Sequence, residues 1–196
     1  PEFTQIDLEM SFATQDDIFA VVEGAIAAAF AVGGLHIAFP FPRMTYQQAM
    51  DTYGSDKPDL RFGLPIADVT EACRPIAFGV LQTVIAAGGV VRAVRVPGGA
   101  ALSRKQTDEL TQTSTKAGAK GLLIVKRDAA GVHKSPLANY MDAAAWQAFD
   151  SATGAEPGDA VFLVADALPV ARAASGAVRL QAAAMLTLVP ADSFAL

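Results

Sequence analysis

The chain has 196 residues, 52% of them hydrophobic, with 15 Lys+Arg against 20 Asp+Glu and a single cysteine. That is enough apolar material for one large or two small globular domains, and it excludes both a disordered chain and a disulfide-stapled scaffold. Cys73 has no partner for an internal bridge, which fits a reducing cytosol and the role of a small buried apolar residue.

In chain order, Ile6, Leu8, Met10 and Phe12 alternate with Gln5, Asp7, Glu9 and Ser11, the period of two expected of a strand with one buried face. Thr14 with Asp17 three residues later opens a helix, whose apolar residues from Ile18 to Phe30 recur at helical spacing until Gly33-Gly34 stops it. That helix is expected to pack on the apolar face of the preceding strand. The uncharged run Gly24 to Pro42 has the length of a membrane span, but Gly33-Gly34 interrupts it and Pro40 and Pro42 bar its resumption, so a buried helix followed by an extended segment is expected. Thr45 and Gln48 open a short second helix that Gly54 closes, and Ser55 to Asp59 reads as a polar loop. A domain boundary is placed near Phe62 to Pro65.

Beyond it, Pro75–Val84, Val90–Val96, Gly121–Lys126 and Ala160–Ala165 are four stretches of strand length and composition. Ser103 and Gln106 form a third capping box, opening a helix that turns Leu110 inward and ends at Gly118. A last helix is expected over Leu168–Leu188, with Val170, Ala173, Ala174, Ala177, Val178, Gln181 and Met185 on one stripe and Gly176 weakening it by about 1 kcal/mol relative to Ala. Strands and helices do not alternate strictly, which favours a mixed α+β layering over a doubly wound sheet.

The charge is uneven. Residues 91–140 carry nine basic against three acidic residues, a net +6 that leaves −11 elsewhere. A net charge of −5 is the wrong sign for a surface that grips phosphate everywhere, so any nucleic-acid contact is expected in the middle, with Arg104 and Lys105 as candidates. No Walker-type or dinucleotide-type glycine loop is present. His36 and His133 lack metal-ligand spacing and read as a partly buried and a loop histidine respectively. Gln5, Asp7 and Glu9 share the polar face of the first strand, a surface that suits an ammonium ligand or else is simply solvated.

Several stretches then resemble bacterial-type aspartyl-tRNA synthetase, a class II family: Pro1 to Phe12, Phe41 to Tyr46 and Tyr53 to Arg61. Arg95 to Gln106 with Gly118 to Leu122 resembles the family's GAD insertion domain, a module related to one in tRNA-dependent amidotransferases, and Gly176 to Leu180 resembles the helix by which the chain leaves it. The resemblance implies an enzyme that activates L-aspartate with ATP and Mg2+ to aspartyl-adenylate and then charges tRNA(Asp), acting as a cytoplasmic homodimer with no membrane association. It implies that residues 1–62 belong to the class II antiparallel-sheet catalytic domain, that 63–190 form a two-layer α+β GAD-type insertion, and that 191–196 return toward the catalytic domain. It further implies that the first strand is the second strand of motif 2, with Asp7 binding the α-ammonium of the amino acid and Gln5 supporting the pocket. The ATP-binding residues of motif 2, motif 1, the anticodon-binding barrel and the motif 3 arginine have no counterpart here, so the chain reads as an internal piece, inactive alone. The competing expectation is a non-catalytic tRNA-contacting or spacer module.

Overall fold

The computed structural model describes residues 2–191 and 193, which form two compact units, one up to Met44 and one from Thr45. In the first unit, residues 2–10 enter no ladder, and Phe3, Ile6 and Phe12 are 78%, 85% and 104% exposed. The expected first strand is therefore absent. Alternation can encode an apolar face, but a strand exists only where a neighbour takes up its N–H and C=O groups, and the first unit supplies none. Helix α1 (Gln15–Val32) follows with the expected capping box, Thr14 Oγ1 accepting from the Asp17 N–H and the Asp17 carboxylate accepting from the Thr14 N–H. It does not pack on a strand, and Ile18, Val21, Val22 and Val32 are exposed. Its one buried residue is Glu23, whose Oε1 accepts from the Phe41 N–H at 3.1 Å and from Arg43 Nη2 at 3.4 Å. Arg43 also pairs with Asp16 at 2.8 Å and lies 4.2 Å from the centre of the Phe19 ring, which pins the segment after the helix back along it. No helix among the described residues is long and apolar enough to cross a membrane.

The second unit begins with α2 (Tyr46–Tyr53), opened by the Thr45/Gln48 box and closed by Gly54 in the left-handed conformation (φ 71°), as expected. Then come β1 (Ile66–Asp68), α3 (Thr70–Cys73), α4 (Gly79–Ala86), β2 (Val90–Val96), α5 (Arg104–Lys116), β3 (Leu123–Arg127), β4 (His133–Lys134), α6 (Ala143–Thr153), β5 (Ala160–Asp166) and α7 (Leu168–Met185), with two 3-10 turns at Gly99–Ala101 and Ala138–Tyr140. The strands make one antiparallel sheet in the order β1-β2-β5-β3-β4, with Val94 opposite Phe162 and Ile124 opposite Phe162 on its other side. The strand expected at Pro75–Val84 is instead a turn into α4. Gln82 Nε2 donates to the carbonyls of Arg74 and Ile76, and Thr83 Oγ1 to that of Gly79, so local side-chain bonds favour the helix over an equally apolar strand.

The architecture is mixed α+β as expected, but in three layers where two were expected. Val91, Ala93, Val161 and Leu163 face Cys73, Leu81 and Phe149 of α3, α4 and α6, while Val94, Val96, Ala160 and Phe162 face Leu110, Val178 and Ala182 of α5 and α7. Both central strands are apolar on both sides, so both sides must be covered.

Helix α7 carries the joint. The expected stripe is shifted, since Ala171, Ala174, Ser175, Gly176, Val178, Arg179, Ala182 and Ala183 are the buried residues, of which only Ala174 and Val178 were expected, and Ala173 is exposed. Gly176 lies against the end of α2, where a Cβ would stand 2.9 Å from the Tyr53 carbonyl oxygen and 3.0 Å from that of Gly54. A Cβ on Gly54 would in turn meet the Arg172 carbonyl oxygen at 2.3 Å. Two glycines thus let two backbones touch. Gly176→Ala should therefore lose about 1–2 kcal/mol of stability in urea unfolding, the overpacking outweighing the gain of about 1 kcal/mol in helix propensity. Gly24→Ala, in the open middle of α1, should not destabilise.

Candidate functional site

The residues that the sequence marks as candidates fall on different surfaces. Gln5 and Asp7 are exposed, on the segment that has no strand partner. Arg104 and Lys105 stand in the first turn of α5 and project into solvent, Arg104 being 93% exposed and 3.9 Å from Asp108. An exposed pair of that length contributes little to stability, so Arg104 is in effect a solvated cation.

Four of the nine central cations are committed inside the fold, and a fifth, Lys134, is paired on the surface. Arg92 is buried and pairs with Asp51 at 3.0 Å and Asp68 at 3.5 Å. Arg95 holds the buried Asp159 at 2.6 Å, and Asp159 also accepts from the backbone N–H groups of Gly98 and Glu156. Lys126 donates to the Leu102 carbonyl, Arg127 pairs with Asp150 at 3.1 Å, and Lys134 with Asp128 at 3.2 Å. Arg104, Lys105, Lys116 and Lys120 are exposed on or just after α5, and Lys134 is exposed on β4 beside Asp128.

Two arginine sites organise the α2–α7 joint. Asp51 Oδ1 accepts from Arg172 Nε at 2.9 Å and Nη2 at 2.6 Å as well as from Arg92, and Arg172 beside it holds the carboxyl below its ordinary range against the opposing effect of burial. Seven residues further along α7, Arg179 is 1% exposed and forms no ion pair with a carboxylate among the described residues. Its Nε donates to the Leu64 carbonyl at 3.0 Å, and its Nη2 to those of Asp59, Phe62 and Gly63 at 2.8, 3.2 and 3.0 Å. The rings of Phe62 and Tyr53 lie 4.2 and 4.8 Å from its guanidinium carbon. This arginine fixes the path of residues 59–64, and Asp59 is further tied by a two-pronged bond from Arg61 that lowers its carboxyl pKa to about 2.

A third cluster gathers residues from β3, β4 and α6. His133 Nε2 lies 2.9 Å from Asp150 Oδ1, Arg127 Nη1 bonds Asp150 Oδ2 and the Ala155 carbonyl, and the imidazole stacks flat on Trp146 at 4.0 Å and 6°. These groups border a cleft of about 650 Å³. His133 is therefore neither in a loop nor isolated, and His36 is exposed, the reverse of the burial expected for the pair. No local signal in the sequence marks this cluster, because its members are separated by up to 23 positions and meet only through sheet register, with Arg127 opposite His133. No group of three His, Cys, Asp or Glu side chains among the described residues could hold a metal ion. Cys73 is fully buried, and burial pushes its thiol up to about 12, with the charge of Asp68 adding to the shift.

Residues 81–175 match the model of the GAD domain family. The chain is 44% identical over 190 residues to an aspartate–tRNA ligase of Clostridium botulinum, covering 96% of the chain and 32% of that protein. It is 41% identical over 196 residues to an aspartate–tRNA(Asp/Asn) ligase of Moorella thermoacetica (100% and 32%) and 43% identical over 196 residues to an aspartate–tRNA ligase of Bacillus licheniformis (99% and 33%). The chain thus spans about a third of the length of the curated relatives it matches.

Arg179→Ala would strand four backbone carbonyls and open a cavity between two rings, and should cost about 3–5 kcal/mol in chemical denaturation. The Cys73 thiol should resist alkylation at neutral pH in the folded chain and react fully in denaturant, because it is both inaccessible and protonated.

Proposed function

We infer that this chain, which belongs to the bacterial-type aspartyl-tRNA synthetase family and carries its GAD domain, is a segment of a polypeptide that activates L-aspartate with ATP and Mg2+ and transfers it to the 3′ end of tRNA(Asp). The observation that carries this reading is identity of 41–44% sustained over nearly the whole chain rather than over the GAD domain alone. Residues 1–62 then belong to the catalytic domain, 63–190 to the GAD-type insertion, and 191–196 to the return toward the catalytic domain. The chain works in the cytoplasm as part of a homodimer, its ATP and magnesium ligands lie outside these residues, and alone it does not aminoacylate.

In this reading Asp7 accepts hydrogen bonds from the α-ammonium group of aspartate, and Gln5 supports the pocket. A carboxylate–ammonium hydrogen bond is worth about 1.5–3 kcal/mol once water is excluded, and much less on an open surface. The exposed Asp7 therefore binds strongly only when the rest of the polypeptide closes over it. Pairing the segment into a sheet would also orient Asp7 and Gln5 to one side, because residues two apart share a face.

A second reading, a non-catalytic module that contacts tRNA or spaces other domains, is favoured by one feature. Arg104 and Lys105 remain solvated at the start of α5 while four of the nine central cations are committed internally.

In the whole polypeptide, aspartate-dependent ATP–pyrophosphate exchange should be present and should fall by about 10²-fold in Asp7→Ala, equivalent to about 3 kcal/mol of substrate and transition-state binding. Exchange at wild-type rates in that variant would remove Asp7 from the pocket. Arg104→Ala with Lys105→Ala should leave exchange unchanged while making the log–log salt slope of tRNA binding shallower by about 0.9 for each phosphate no longer neutralised.

A further inference from the structure

The cluster between β3, β4 and α6 is under-satisfied in a way the fold does not explain. Arg127 is only 24% exposed at its side chain, yet one of its three nitrogens does all the bonding. Nη1 donates to the Ala155 carbonyl and forms an ion pair with Asp150, Nε is buried without an acceptor, and Nη2 has no hydrogen bond to any described residue. Nε is sealed inside the fold, so Nη2, open beside a cleft of about 650 Å³, is the nitrogen that an acceptor supplied from outside can reach. Asp150 borders the same cleft. Oδ1 is hydrogen-bonded to His133 and Oδ2 is ion-paired with Arg127, and each oxygen keeps a lone pair to offer. Gln147 and Ser151, both exposed and one turn of α6 apart, line the cleft with an unengaged amide and hydroxyl.

The charges select the ligand. A phosphate or carboxylate would suit Arg127 but would meet the Asp150 carboxylate, and an ammonium would suit Asp150 but meet Arg127. A neutral planar group with a carbonyl acceptor and N–H donors on adjacent positions satisfies both at once. Guanine presents that edge, with O6 as acceptor beside the N1 and N2 hydrogens, whereas adenine offers the opposite order. Trp146 and His133, stacked on each other, also line the cleft and give it aromatic surface.

We propose that the cleft between α6 and the β3–β4 hairpin is a nucleobase site that takes an unpaired guanine nucleotide, with Arg127 donating to O6 and Asp150 accepting from the N1 and N2 hydrogens. The nucleotide comes either from single-stranded RNA or from the free pool. The site makes no use of Asp7 and does not require the ligase reading to hold.

Trp146 is the single tryptophan of the chain, so its emission, excited at the red edge, reports on this cleft alone. Titrating the full chain with GMP should change that emission saturably, with AMP about ten-fold or more weaker, the discrimination expected of one two-pronged base contact. Asp150→Asn should weaken GMP by a similar factor. Because Asp150 also braces Arg127 and His133, the double variant Gln147→Ala with Ser151→Ala, which changes only exposed side chains, gives the independent check and should weaken GMP several-fold at an unchanged melting temperature. Tighter binding of a single-stranded oligonucleotide carrying guanine than of GMP assigns the source as RNA, and equal binding assigns it as free nucleotide. An emission unmoved by millimolar GMP, an equal response to AMP, or full GMP affinity in the double variant would overturn the site.

Discussion

The second unit depends on a buried positive charge that makes no ion pair with any carboxylate among the described residues. Taking a guanidinium out of water costs several kcal/mol even after relaxation, so Arg179 is tolerable only because four main-chain carbonyls and two aromatic faces replace its hydration. Those carbonyls belong to residues 59–64, the segment that leads into β1, whereas the arginine belongs to α7, the last helix of the sheet's second cover. One side chain therefore closes the unit, joining the chain's entry into the sheet to its final helix across 120 residues. A carboxylate in place of the carbonyls would neutralise the charge but could not fix four backbone positions at once.

The same helix explains why α2 belongs to this unit. Gly54 and Gly176 permit a backbone contact that any Cβ would forbid, and Asp51 is gripped from α7 by Arg172 and from the sheet by Arg92. Packing thus begins the unit at Thr45, before the start of the matched GAD domain at residue 81. Gly176 weakens the helix in propensity and strengthens the unit by more through close approach, a balance that a local scale cannot register.

The central positive stretch shows how misleading a charge count can be when the fold is unknown. Its arginines on β2 and β3 point from strands into carboxylates of α2, α6 and the loop before β5, and serve as interior ties. Apart from Lys134, which pairs with Asp128, the cations of this stretch that remain outside cluster around α5. Electrostatic attraction for a polyanion is consequently confined to one helix, and the cleft under α6 has balanced charge, better matched to a neutral base edge than to a phosphate.

Sequence alone determined what local chemistry controls. The three capping boxes at Thr14, Thr45 and Ser103 and the strands at Val90–Val96 and Ala160–Asp166 follow from residue types a few positions apart, and the resemblance to aspartyl-tRNA synthetases follows from short motifs. Tertiary structure decided whatever needs a distant partner. The alternating segment at residues 3–12 stays unpaired because alternation specifies a face without supplying a neighbour, and Pro75–Val84 turns helical because an apolar run of that length is equally compatible with either period. The inward side of α7, the clamp at Arg179, and the meeting of Arg127, His133, Trp146 and Asp150 arise from packing and register across the sheet, interactions whose energy depends on separation in space and leaves no trace in separation along the chain.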